Sequence, residues 1–212
     1  MTKYELAVIE GRWSKKKNQS VRPVFDSLVD MLFGTPHAYF HHQFSSPAAL
    51  GHVITHVAST DARVLYIGAH GDDAAIYGSI GDDEGRVSRT QLRNILWKCW
   101  DEGVGDFDGL FLGSCSFVTP QNAEYILCGD KAPKKLKWLA GYAKDVDWVD
   151  STLLDALFLR RVLALNGAPI ERVKACVEQL GGDAGGLCKH LGFNVYVRKV
   201  GPAGGVKPLM EY

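Results

Sequence analysis

Two residues of this chain have the type and setting for nucleophilic chemistry: His70, in RVLYIGAHGDD, and Cys115, in GLFLGSCSF. Each follows an apolar run and one or two small residues, the pattern of a buried strand that releases a polar side chain where it leaves the core. A free thiol, with a pKa near about 8.5, is sparsely ionised at neutral pH. A neighbouring imidazole takes its proton during attack on a carbonyl and returns it to the leaving amine. Gly71, next after the histidine, lacks a Cβ and lets its backbone N–H approach a substrate closely. With the N–H of Cys115 it would form an oxyanion hole, each donor contributing about 3 kcal/mol in the transition state.

Because His70 and Cys115 lie far apart in the chain, this chemistry requires their strands to be neighbours. Alternating strand-type and helix-type periodicity predicts an α/β fold, with a mostly parallel central sheet of about six strands flanked by helices. Strands are expected at 5–13, 38–44, 63–70, 107–117, within LKWLAGYAKDVDW and at 193–200. Helices are expected at 21–33 with Val24, Leu28 and Leu32 on the apolar face, and after the Ser46-Pro47 cap. Others start near Ser88, follow a Thr119 cap, and cover STLLDALFLRRVLALNG and IERVKACVEQLGG. Gly78, Gly81 and Gly85 predict a hairpin or tight loops, and residues 201–212 read as a frayed tail. Parallel strands end at a common edge, where ligands of open sheets bind.

The 212 residues, 46% of them hydrophobic, are expected to form a single domain, 1–212. Lys plus Arg and Asp plus Glu balance at 24 each, so neither nucleic acid nor an anionic membrane is expected as a partner. The first residues do not read as a signal peptide and no apolar run is long enough to span a bilayer, which predicts a cytoplasmic protein. Five cysteines without a C-x-x-C pair predict no disulfide framework and no structural zinc.

VLYIGAHG and GLFLGSC, the helix between them, and the downstream strand-loop-helix in WLAGYAKDVDWVDSTLLDALFLRRVL together resemble the caspase-like cysteine peptidases. Their bacterial CHAT-type branch is a nearer likeness than animal caspases. The resemblance spans about residues 60–165, and the preceding β-α-β-α elements fit the start of the same fold. It implies a cysteine endopeptidase acting on protein or peptide without a cofactor, with His70 and Cys115 catalytic and Gly71 assisting the oxyanion. It also implies an activating or regulatory protein as a further partner. The Gln-Ala-Cys context of animal caspases is absent, and the Asp that metacaspases carry two positions before Cys is Gly113 here. The loop with Asp147 and Trp148 corresponds to one that shapes the substrate cleft in this fold. Asp72, Asp73 and Asp147, with Asp145 and Asp150, are expected at the rim, where they would favour a basic residue before the scissile bond. Asp147 and Asp150 equally suit a helix start.

Two other functions fit the same residues. One is a non-catalytic caspase-like interaction module. The other is a metal-dependent hydrolase, since Ala69-His70-Gly71-Asp72-Asp73 is similar to the Ala-His-Pro-Asp-Asp motif of zinc-dependent sugar deacetylases, although only His190 follows as a further histidine. His52 and His56, at i and i+4, lack a spaced third ligand.

Overall fold

In the computed structural model, residues 5–17, 19–36, 38–60, 62–79, 83–101, 107–199 and 204–211 are described. The run LAVIE forms β1 (Leu6–Glu10), buried along its whole length. Such a strand is covered on both faces, and its parallel neighbours are alike. It lies between β2 (Phe40–Gln43) and β3 (Val64–Gly68). Beyond β3 come β7 (Gly109–Gly113) and β8 (Trp138–Tyr142), both parallel. Then β9 (Phe193–Arg198) and β10 (Val206–Pro208) complete the sheet in antiparallel fashion, giving the order β10-β9-β8-β7-β3-β1-β2.

Alternation along the strands builds two cores. Leu6, Val8, Tyr66, Phe111, Trp138 and Tyr142 face α1 (Arg22–Phe33), α5 (Trp148–Ala164) and α6 (Pro169–Leu191). Ala7, Ile9, Leu65, Ile67, Leu110 and Leu139 face α2 (Pro47–Ala58), α3 (Arg89–Asp101) and α4 (Pro120–Leu127). Helix starts follow local chemistry. Ser46 Oγ accepts from Ala49 N ahead of α2, and Thr119 Oγ1 accepts from Asn122 N ahead of α4. Ser88 and Gln91 bond reciprocally at the head of α3, a capping box.

The mostly parallel sheet flanked by helices is the fold class read from the sequence, with three adjustments. The sheet has seven strands, because the expected frayed tail supplies β10 and buries Met210. The apolar face of α1 is Phe25, Leu28 and Val29, with Val24 and Leu32 only partly covered. Helix α6 runs beyond its expected stop at Gly181-Gly182 to Leu191 with a kink at Ala184, since burial of Cys188 and Leu191 outweighs weak glycine propensity. The glycine-marked segment is a three-stranded antiparallel sheet of β4 (His70–Gly71), β5 (Ala75–Tyr77) and β6 (Arg86–Ser88), while Gly81 lies outside the described residues. Among the described residues no helix is long and apolar enough to cross a membrane.

Gly109 marks the tightest packing in β7, since a Cβ there would lie 1.9 Å from the fully buried Trp138 ring. Gly109→Ala should therefore lose about 1–3 kcal/mol from overpacking. That exceeds the roughly 0.5–1 kcal/mol that alanine gains by restricting the unfolded chain. Urea unfolding measures the balance, and unchanged stability would contradict this packing.

Candidate active site

Strands β3 and β7 pair in register with Gly68 opposite Gly113, and Ala69 N donates to Gly113 O at 3.2 Å. Two residues beyond that matched pair stand His70 and Cys115, each leaving the same edge of the sheet. After β3 the chain turns at once into the small sheet, so His70 opens β4 rather than closing the central strand. Gly71 makes the approach possible. A Cβ on it would sit 2.9 Å from Cys115 O and 3.0 Å from Ser114 Cβ, so the glycine serves close contact between the two segments.

His70 is exposed, and its Nε2 lies 2.9 Å from Trp13 O. A carbonyl only accepts, so Nε2 is the donor, and in the neutral ring the lone pair needed by a base lies on Nδ1. The Trp13 indole meets the His70 ring edge-on at 5.5 Å and the Trp148 ring at 4.4 Å. Cys115 is half-buried, and its Sγ accepts from Val146 N at 3.5 Å. The next residue, Ser116, has φ of 56°, an unusual value for a residue with a side chain. Bonds from Ser116 N to Lys144 O at 2.9 Å and from Ser116 Oγ to Asp145 Oδ1 at 2.8 Å hold that turn. The loop before α5 thus fixes both the thiol and the turn after it.

His70 and Cys115 line one pocket of about 90 Å³, walled by Trp13, Trp148 and Tyr66, with Ser114 and Asp155 also in its lining. On the other side, His70 borders an open cleft of about 690 Å³ lined by Trp13, Tyr77 and the Lys15–Lys17 run. The lysines of that run therefore edge the site.

No family model matches this chain. No curated protein sequence matches it either. Among the solved structures that match is the X-ray structure of "iotapain", a secreted C11 cysteine protease from Bacteroides thetaiotaomicron. It superposes with a TM-score of 0.54 at 9% identity, over 93% of this chain and 66% of that one. The fold is caspase-like. This chain spans just under two thirds of the protease it matches, and at that identity the likeness is one of fold.

Within the caspase-like fold, the four expected substrate contacts separate. Trp148 walls the pocket. Asp72 is occupied locally: Oδ1 accepts from Ala74 N and Ala75 N, and Oδ2 accepts from Tyr77 Oη at 2.6 Å. Burial alone would raise its pKa, but the Tyr77 and backbone bonds and the Arg86 charge outweigh burial and hold it low. Asp73 is exposed, with its carbonyl bonded by Asn122 Nδ2. Asp147 caps α5, accepting from Val149 N and Asp150 N. For the metal reading of AHGDD, no group of three His, Cys, Asp or Glu stands together among the described residues.

The acid in the pocket lining is Asp155, which the sequence reading missed. It is 3% exposed and accepts from Tyr66 Oη at 2.7 Å and Tyr142 Oη at 2.6 Å. Burial pushes its pKa up to about 7 against the opposing effect of those two bonds, and burial also drives both tyrosines well above their usual value. In the same lining, Ser114 Oγ is buried with no hydrogen-bond partner among the described residues. The legible signal was a lone carboxylate on the apolar side of STLLDALFL, between Leu154 and Phe158.

A raised carboxyl pKa means that the folded state holds the proton more tightly than the unfolded chain. Asp155 therefore costs stability as pH climbs from near 4 to above 7. Asp155→Asn should gain stability relative to the native chain across that interval, read as the difference in unfolding free energy at each pH. A constant difference would contradict the buried, titrating carboxyl.

Proposed function

We propose that this chain is a caspase-like cysteine endopeptidase, nearest the bacterial CHAT-type branch by its VLYIGAHG and GLFLGSC segments. The observation that carries the reading is the register of β3 and β7, which leaves His70 and Cys115 in the lining of one small pocket. In this reading Nδ1 of His70 takes the Cys115 proton as sulfur attacks the scissile carbonyl. The N–H groups of Gly71 and Cys115 hold the oxyanion, and the proton passes to the leaving amine. Water then attacks the thioester, with His70 as base, and releases the acid. The substrate is a protein or peptide, a regulatory protein is the expected second partner, and the setting is cytoplasmic. The pocket receives the side chain before the scissile bond, and the open cleft carries chain on the far side of His70.

The preference for a basic side chain is retained on different grounds. Asp155 is a buried carboxylate whose donors are neutral tyrosine hydroxyls, and a substrate cation would supply its counter-charge. The unpartnered Ser114 Oγ offers a further hydrogen bond. Gly113 stands where metacaspases place an acid, and a Cβ there would be 2.2 Å from Tyr66 Oη, so in this chain that space holds the tyrosine bonded to Asp155.

Cys115→Ala should abolish peptide cleavage, and His70→Ala should lower kcat/KM by about 10²–10⁴-fold. Cleavage retained in Cys115→Ala would remove the thiol from the mechanism. Peptides with Lys before the scissile bond should outcompete norleucine analogues by about 10²-fold. That ratio, in which the common effects of His70 and Cys115 cancel, should grow as pH rises through about 7. Equal kcat/KM values at all pH would exclude Asp155 from substrate recognition.

A further inference from the structure

The loop that orients His70 is tied to the sheet by a group outside the pocket. Glu10 ends β1, has no exposed surface, and accepts four hydrogen bonds. Oε2 takes Trp13 Nε1 at 3.0 Å and Val21 N at 3.1 Å. Oε1 takes Ser20 Oγ at 2.5 Å and His41 Nε2 at 2.9 Å. Trp13, Ser20 and Val21 belong to both ends of the irregular stretch between β1 and α1, so one carboxylate closes that loop on itself. The fourth donor comes from the neighbouring strand β2.

The first residues of the loop are held by the backbone, with Gly11 N on Gly68 O at 2.8 Å and Arg12 N on Gly78 O at 2.9 Å. Farther along, the bonds from Arg12 to Ser14 O and Lys15 O, and from Lys16 N and Lys17 N to Ser14 Oγ, are internal to the loop. Trp13 stands between these two parts. Its ring is gripped by Trp148 and by Glu10, and its carbonyl accepts a hydrogen bond from His70 Nε2. The edge-on contact with Trp148 fixes where the ring lies. The indole N–H on a buried carboxylate, a charge-assisted bond, fixes how the residue is turned and hence where its carbonyl points.

We infer that Glu10 is a positioning residue for His70, acting through the Trp13 indole and carbonyl to hold the imidazole in the tautomer and direction that Cys115 requires. The inference rests on the proposed Cys115-His70 chemistry. Small errors of placement have large effects at such a site: about 1 Å of misplacement costs on the order of 10²-fold in rate.

Two variants separate this role from simple support of the fold. Glu10→Gln keeps the volume but loses the charge and presents a donor where one of the four donors now bonds. Trp13→Phe trims the indole to a single six-membered ring and removes the N–H that Glu10 holds, so it serves where Glu10→Gln fails to fold. The substrate-free readout is the rate of Cys115 alkylation by iodoacetamide against pH, followed by peptide mass spectrometry. Cys128 at the end of α4, also half-buried, is the internal reference. Both variants should alter the Cys115 profile and leave that of Cys128 unchanged. With a cleaved peptide, kcat should fall about 10–100-fold for Glu10→Gln with KM near native, and about 3–10-fold for Trp13→Phe, whose ring also walls the pocket. A folded Trp13→Phe chain with a native Cys115 profile and native kcat overturns the inference alone, provided His70→Ala changes the profile. If His70→Ala also leaves it unchanged, the pairing of His70 with Cys115 is overturned and the positioning role falls with it.

Discussion

The pairing of Gly68 with Gly113 governs everything at the site. Parallel strands share a direction, so whatever follows each one emerges at the same edge, and matched register puts the second residue beyond each strand at the same height. A slip of one residue would turn every side chain of β7 to the opposite face and break both cores at once, since Leu110 and Leu112 serve one layer and Phe111 the other. Burial of these apolar side chains thereby specifies the placement of two reactive groups that contribute little to the core themselves. The glycines finish the arrangement: Gly71 lets β4 lie against Cys115, and Gly113 leaves space for the Tyr66 hydroxyl.

Two buried carboxylates near this edge show how the same group is tuned in opposite directions. Burial alone would raise both. Glu10 accepts four bonds, from an imidazole, a hydroxyl, a backbone N–H and an indole, and together they hold it below the usual carboxylate range. Asp155 has two tyrosine hydroxyls, and burial prevails. The number and kind of donors decide the sign. Glu10 is therefore suited to hold a loop permanently ionised, whereas Asp155 is a carboxyl that a substrate charge would ionise further.

Much of the fold was legible because strand runs such as LAVIE, VLYIG and GLFLG are buried on both faces and carry no competing helical period. Caps at Ser46 and Thr119 were legible for the same local reason. The seventh strand was not, because VKP is short, contains proline and follows glycines, and only pairing with β9 makes it a strand. At the site, His70, Gly71, Cys115 and Trp148 stood out by type and position. Asp72 and Asp147 look alike in sequence but are consumed by a turn and a helix cap. Glu10, Trp13 and Asp155 escaped notice because their roles depend on partners brought from other elements: Glu10 needs Ser20 and His41, and Asp155 needs Tyr66 and Tyr142. The reading of 5–13 as one strand also hid the bend that sends Trp13 across the sheet edge.

The central claim is that one thiol and one imidazole at this edge act together on a peptide carbonyl. A crystal structure of the chain with a peptide aldehyde ending in lysine tests it most directly. The account predicts a hemithioacetal on Cys115 Sγ, its oxygen at the N–H groups of Gly71 and Cys115, and the lysine side chain directed to Asp155. An aldehyde that leaves Cys115 unmodified, or a bound peptide lying away from His70, would contradict it.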